Sequence, residues 1–324
     1  MKILFLAIQN STFIERDYII LKEQFQVNFP LPFPKNFLKT FFLIKKCNLV
    51  FCWFTSLHFL LPIIIAKILH KKIVIVSGGY DVANVYELNY GSMVFPLRGF
   101  LVKLMLKLAD NIVAVSKSNM LEVIENCKIS SSKIELIYHG FDDRIVSLNS
   151  KRENKILTVG LLDKETFLRK GFDRFLELAK CLTDFHFVIA GRYDPDFVGK
   201  LIIPPNVYLT GYLDHAALLE LFLSSKIYVQ LSRHEAFGAA VAEAMLAGCV
   251  PFVSNAYALP EVVGDCGVII DNMEEVNKTS QLLENLLLNF SDELSFKCSE
   301  RIKNTFSVKA RRKNILKLIN NIYK

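Results

Sequence analysis

Residues 227–251 read IYVQLSRHEAFGAAVAEAMLAGCVP, and their order of residue types sets a pattern for the whole chain. An apolar run ends at Leu231 as a buried strand. The loop 232–237 follows, and a helix opens near Gly238 and runs to Ala247. Gly248 suits a left-handed C-cap, and a second buried strand begins at Cys249-Val250. The two strands are continuously apolar rather than alternating, as in parallel sheets covered on both faces.

Similar runs recur outward from this unit. They lie at 3–8, 26–30, 49–54, 73–77, 112–116 and 134–138, and again at 156–160, 186–190, 207–210, 227–231, 250–254 and 267–270. The intervals carry helical faces, such as Phe172, Phe175, Leu176 and Ala179, or Leu218, Leu219, Leu221 and Phe222. Six strands alternating with helices, twice over, predict an α/β protein of two doubly wound, Rossmann-like domains facing across a cleft. A length of 324 residues fits two domains. The polar stretch 142–154 is the natural linker. The expected division is an N-terminal domain at 1–146 and a second domain at 147–306. A helix at 307–324, with Ile315, Leu316, Leu318, Ile319 and Ile322 on its apolar face, is expected to pack back toward the first domain.

Composition excludes several classes. Hydrophobic residues make up 52% and charged residues 22%, which supports packed cores and rules out extended disorder or a collagen. The seven cysteines include no C-x-x-C pair, so they read as reduced core thiols of a cytoplasmic protein, without a zinc site. Residues 1–110 hold 13 Lys and Arg against 6 Asp and Glu, and residues 111–324 hold 26 of each, so the whole net charge of +7 belongs to the first third. Half of the 26 Phe lie in residues 1–100. The stretches 33–46 and 95–107 mix Lys with large apolar residues at helical spacing, which points to a membrane surface as well as to ordinary helices with snorkelling lysines. No nucleic-acid motif accompanies the charge. The uncharged stretch 49–66 reads as a strand and then a helix capped near Thr55-Ser56, not as a membrane span.

Chemistry gathers in the segment 227–251. Backbone N–H groups at the start of a helix, with its dipole, suit a phosphate or a sugar hydroxyl. Gly238, Ala239 and Ala240 permit close approach. Glu235 and Glu243 stand eight positions apart and can address different parts of one long polar ligand. Glu243 lies in an otherwise apolar helix, where a carboxylate needs partners such as ribose hydroxyls or a nearby Lys or Arg.

Glu235-Ala236-Phe237-Gly238 and Glu243-Ala244-Met245-Leu246-Ala247-Gly248-Cys249-Val250-Pro251 resemble the E-x7-E signature of the family-4 retaining glycosyltransferases of the GT-B fold. The segments Val159-Gly160, Lys170-Gly171-Phe172-Asp173, Leu209-Thr210-Gly211-Tyr212 and Leu259-Pro260-Glu261 are similar to further family segments. So are Asp110 to Ser116 and His139-Gly140-Phe141-Asp142, and the likeness covers most of 105–275. It implies that Glu235 contacts the transferred sugar. Phe237, Gly238 and Ala239 would offer backbone N–H groups, with Gly160 also lining the donor site, and Glu243 would hold the ribose. Lys170 with Arg169 would neutralise the leaving diphosphate in place of a metal, and Tyr212 would frame the base. His234 is a candidate for donor phosphate. Asp81, in Ser77-Gly78-Gly79-Tyr80-Asp81, can take the acceptor proton or simply cap its turn.

The chain departs from the family where Leu161 replaces an expected Arg, Ala236 a Gly and His139 an Asn. Gln9-Asn10-Ser11-Thr12 also stand where a glycine-rich loop is usual. The resulting expectation is a metal-independent, retaining transfer of a sugar from a UDP- or GDP-linked donor, with no cofactor. The acceptor would be a glycan or lipid-linked, and the chain itself is expected in the cytoplasm, at the membrane face. A sugar-nucleotide epimerase and a non-catalytic nucleotide-sugar-binding protein stand beside it as other readings. The absence of a strand-linked G-x-G-x-x-G speaks against a nicotinamide dehydrogenase.

Overall fold

The computed structural model describes residues 1–8, 11–30, 37–142, 152–272 and 274–322. Twelve strands form: β1 (Lys2–Leu6), β2 (Gln26–Asn28), β3 (Leu49–Trp53), β4 (Lys72–Ser77), β5 (Asn111–Ala114), β6 (Ile134–Leu136), β7 (Glu153–Val159), β8 (His186–Ala190), β9 (Val207–Leu209), β10 (Ser225–Gln230), β11 (Val250–Ser254) and β12 (Val268–Ile270). They make two parallel six-stranded sheets, ordered β2-β1-β3-β4-β5-β6 and β12-β11-β10-β7-β8-β9. The chain divides into two compact units, one of residues 1–140 with 308–324, the other of residues 141–307. The expected boundary at 146/147 and the missing glycine loop at 9–10 lie outside the described residues, as do the first four residues of the basic stretch 33–46.

Each sheet has a point where strand order reverses, between β1 and β3 in the first and between β7 and β10 in the second. In open parallel sheets, ligands bind beyond the carboxyl ends of the strands at that reversal. In the second unit this singles out the residues after Val159 and Gln230.

In the first unit, the helices Phe37–Lys46, Leu60–Ile68 and Pro96–Leu108 cover one face of the sheet. Ile44, Ile63, Ala66, Val102 and Met105 lie there against Leu4, Val50, Ile73 and Ile112. The apolar stretch 49–66 is therefore a central strand followed by a turn capped by Ser56 and a buried helix. No helix of the described residues is long and apolar enough to cross a membrane.

The opposite side involves the helices Thr12–Lys22 and Val308–Asn321. Arg311 and Asp17 are 1% and 0% exposed and form two bonds of 2.6 Å through Nε and Nη2. Arg311 also donates to the Ile137 and Tyr138 carbonyls at 3.0 and 2.7 Å. The Trp53 indole donates to Asp17 at 3.1 Å and stacks on His139. Every carboxylate and guanidinium group here is thus matched, as a buried pair requires. Burial, with Arg311 and Arg16 nearby, holds His139 well below its usual value, so it is neutral.

Candidate active site

The helix Ala239–Leu246 begins at Gly238, whose φ of 92° is left-handed and whose position leaves no side-chain cap over the helix start. Its far end closes as expected. Gly248, at φ 86°, donates to the Met245 carbonyl and Cys249 to that of Ala244, the paired bonds of a Schellman turn. Phe237 is buried and holds the approach to the helix, stacked on Phe141 and edge-on to Phe306.

Beyond the carboxyl ends of β7 and β10, two segments are fastened together. The helix Lys164–Lys170 ends at Gly171, at φ 74°. A Cβ there would lie 2.0 Å from the Leu231 carbonyl oxygen. Arg233 N–H donates to the Arg169 carbonyl at 2.8 Å, and its guanidinium grips Asp173 at 2.8 and 2.6 Å. Gly171→Ala is therefore strained in both space and backbone. It should lower the thermal midpoint by the equivalent of about 1–3 kcal/mol, read by calorimetry, and weaken any ligand held here. An unchanged midpoint would mean that the turn shifts freely.

The fastening brings Lys170 Nζ to 2.6 Å from Glu235 Oε2, with side chains only 21% and 13% exposed. Gln230 Nε2 donates to the same oxygen at 2.6 Å and receives its own order from Tyr228, whose hydroxyl donates to Gln230 at 3.1 Å. Burial opposes the charge on Glu235, but Lys170, with Arg169 and His234, outweighs it and holds the carboxyl below its usual value. The Tyr228 hydroxyl is pushed well up by burial and by the nearby charges of Glu235 and Glu243. The result is a fixed cation–anion pair beside an uncapped helix start, an arrangement that can hold a sugar and an anionic group together.

The other candidates fall around this centre in the same unit. Glu243 is half-buried on the helix Ala239–Leu246. Gly160 follows β7 and donates to the Ala190 carbonyl. Arg169 is half-buried at the end of its helix. Tyr212 is largely exposed with the Arg192 guanidinium 4.8 Å above its ring. Leu161 is exposed where the family resemblance led one to expect Arg. His234 is fully buried, its ring 4.2 Å from that of Tyr257, and so it backs the loop from inside.

Asp81 belongs to the first unit, in the turn after β4. Its carboxylate accepts from Gly78 and Gly79 N–H at 3.2 and 3.0 Å, and from Thr55 N–H and hydroxyl at 3.4 Å. Burial raises its carboxyl above the usual value despite these bonds. It therefore caps its turn and also lines a cavity of about 460 Å³. Gln230 and Arg233 were not singled out in the sequence, and Asp173 was named only as the last residue of a family-like segment. The signal for Gln230 was a polar residue at the carboxyl end of an otherwise apolar strand at the sheet reversal.

A model of the family described as "Glycosyl transferases group 1" matches residues 141–305. An uncharacterised 41.2 kDa protein of the cps region of Klebsiella pneumoniae is 30% identical over 193 residues, 55% of this chain and 52% of that protein. The serotype-specific mannosyltransferase WbdA of Escherichia coli is 28% identical over 178 residues, 48% of this chain and 22% of that protein. The chain thus spans about half the length, or less, of these curated relatives. Among solved structures, Anabaena HepE in complex with UDP superposes with a TM-score of 0.78 at 15% identity, covering 99% of this chain and 100% of that one. Sucrose-phosphate synthase from Thermosynechococcus elongatus gives 0.76 at 14% identity, covering 99% of each. These likenesses identify the fold as the two-domain GT-B fold.

Proposed function

The chain belongs to the group 1 glycosyl transferases, and on that premise we propose that it moves a sugar from a nucleotide-diphosphate donor to an acceptor hydroxyl, with retained anomeric configuration and without a metal. The observation that carries this reading is the Lys170–Glu235 pair at 2.6 Å beside the uncapped start of the helix Ala239–Leu246. Glu235 would accept from hydroxyls of the transferred sugar. The backbone at Phe237, Gly238 and Ala239 would hold sugar and diphosphate. Lys170 and Arg169 would meet the charge that develops on the leaving diphosphate, where a fixed cation helps most. Glu243 would bind the ribose and Tyr212 would face the base. Retention rests on the likeness of the Glu235–Glu243 segment to the family-4 enzymes.

The donor is a UDP- or GDP-sugar. A neighbour of the same fold was solved with UDP, and a relative is named a mannosyltransferase. Asp81 would take the proton of the acceptor, its carboxyl being raised above the usual value by burial and so a stronger base than an exposed carboxylate. The acceptor is a glycan or is lipid-linked, and the protein works at the cytoplasmic membrane face. Supporting this, Leu38, Phe42, Leu61, Ile68, Leu97 and Phe100 are exposed on the three helices over one sheet face of the basic first unit.

Thermal stability with UDP, GDP, ADP and their sugar conjugates, in the presence of a chelator, tests the donor site on wild type and Glu243→Ala. A ligand at 100-fold its Kd stabilises by about 2.7 kcal/mol, a rise of several degrees. One nucleotide should stabilise wild type and lose most of that effect in the variant. No shift with any nucleotide would sink the reading. Binding without turnover, whatever the acceptor, would leave a binding protein.

A further inference from the structure

In the first unit, the cavity of about 460 Å³ lies beyond the carboxyl ends of β3 and β4, next to the sheet reversal. That volume suits a small polar ligand. Its lining includes both an acid and a base. The Asp81 carboxylate is buried. Arg98 Nη1 donates to the Tyr80 hydroxyl at 2.5 Å, and its guanidinium lies 5.9 Å from the Tyr80 ring centroid and 5.2 Å from that of Phe95. Tyr80 is itself braced edge-on by Tyr90 at 5.2 Å. Arg98 makes no ion pair with a carboxylate of the described residues. It stands in the first turn of the helix Pro96–Leu108, which has no side-chain cap, so the positive end of the helix dipole adds to its charge.

A guanidinium set beside aromatic rings, oriented by one hydroxyl and left without an acid, keeps most of its donors for an outside anion. A neutral sugar acceptor would not need it. We infer that the acceptor carries a phosphate in addition to its reacting hydroxyl. Arg98 pairs that phosphate and Tyr80 supplies the ring face against which the sugar lies. This deepens the proposed transfer reaction and rests on it for the role of Asp81. The exposed Leu57 at the cavity and Leu97 beside Arg98 leave room for the phosphate to be free or to head a lipid.

The test is acceptor-side binding by the full chain, measured by calorimetry with wild type, Arg98→Gln and Arg98→Lys. The probes are hexose 1-phosphates (glucose, galactose, mannose and N-acetylglucosamine), the matching methyl glycosides, and hexoses joined through phosphate to a dodecyl chain in neutral detergent micelles. At least one phosphorylated hexose should bind wild type more tightly than its methyl glycoside. Arg98→Gln should weaken that binding about tenfold or more while leaving the methyl glycoside unchanged. Arg98→Lys should recover part of the loss, since charge returns without the planar fork. Dependence on Arg98 in both soluble and dodecyl probes would identify the phosphate itself as the determinant, and dependence in the dodecyl probes alone would identify a lipid headgroup.

The inference is overturned if no phosphorylated probe outbinds its neutral counterpart. It is also overturned if Arg98→Gln weakens both classes equally, which a purely structural role for Arg98 would do. Binding of UDP or GDP by the same preparations, in the second unit, stays intact in either case. If that binding is absent too, the transfer reading itself has failed.

Discussion

Lys170→Ala should lower kcat for sugar transfer about 100- to 1,000-fold, the range seen when one fixed group facing developing charge is removed. The donor KM should change much less, because on the proposed reading Arg169 and the helix start would still meet the diphosphate in the ground state. The geometry makes Lys170 more than a surface cation. Its ammonium lies 2.6 Å from Glu235 in a largely buried setting, and the turn that carries it is held by the Arg233–Asp173 fork.

The same substitution should show in pH dependence. In the wild type, burial tends to raise the Glu235 carboxyl and Lys170 is the largest influence lowering it, with the net result below the usual value. A carboxyl lowered in the folded state contributes stability that is present above its unfolded value and is lost as pH falls through the folded one. Without Lys170, burial dominates. The carboxyl then rises, so the acid limb of donor binding should move to higher pH, while the loss of stability that Glu235 contributes in acid should disappear or reverse. Kinetics against donor concentration, with melting curves across about pH 4 to 8, decide the matter. A kcat within about threefold of wild type, with no movement of the acid limb, would remove Lys170 from the leaving-group role.

Asp17→Ala should destabilise the first unit by about 3–5 kcal/mol, because it leaves Arg311 buried without its counter-charge. At about 2–4 °C per kcal/mol for a unit of this size, the midpoint falls by roughly 6–20 °C. The chain's single tryptophan is Trp53, which donates to Asp17 and lies under the Arg311 guanidinium. Its fluorescence therefore reports the first unit separately from the second. Arg311→Ala should act similarly. The double variant Asp17→Leu with Arg311→Met should recover a large part of the loss, since apolar replacement of a complete buried pair is often neutral or better. A single-variant loss below about 1 kcal/mol, the value of an exposed pair, would show that water reaches the site.

How much of this could be read from residue order depends on distance along the chain. The long central strands were visible because a strand buried on both faces is a continuous apolar run bounded by polar turns, whereas β2, β6 and β9 are three-residue strands only partly buried and gave a weaker signal. The helix start at Gly238 and the closing turn at Gly248 were visible for local reasons of backbone geometry. Sheet order was not, since nothing in β7 says that β10 rather than β9 will lie beside it. Asp17 reads as an ordinary acid on an amphipathic helix, yet it is fully buried, and its partner lies 294 positions away. Asp173 and Arg233 likewise look like solvated charges until the fold brings them within 2.6 Å. Arg98 reads as one basic residue in a basic helix, and its standing at a cavity rim is a tertiary fact. Glu235 was legible from its place in the loop before the helix, and Lys170 only as a member of a familiar motif. Their contact depends on the turn at Gly171 meeting the Leu231 carbonyl.

The helix Val308–Asn321, pinned through Arg311 to Asp17, also sets a timetable for biosynthesis. Residues 1–140 leave the ribosome first but receive their last helix only after the intervening 141–307 have been made. At about 5–20 residues per second, that wait is on the order of 10–30 seconds. The second unit is contiguous and can finish meanwhile. Until then, Asp17 and the side of Trp53 that meets Arg311 stand without the group that covers them in the finished fold.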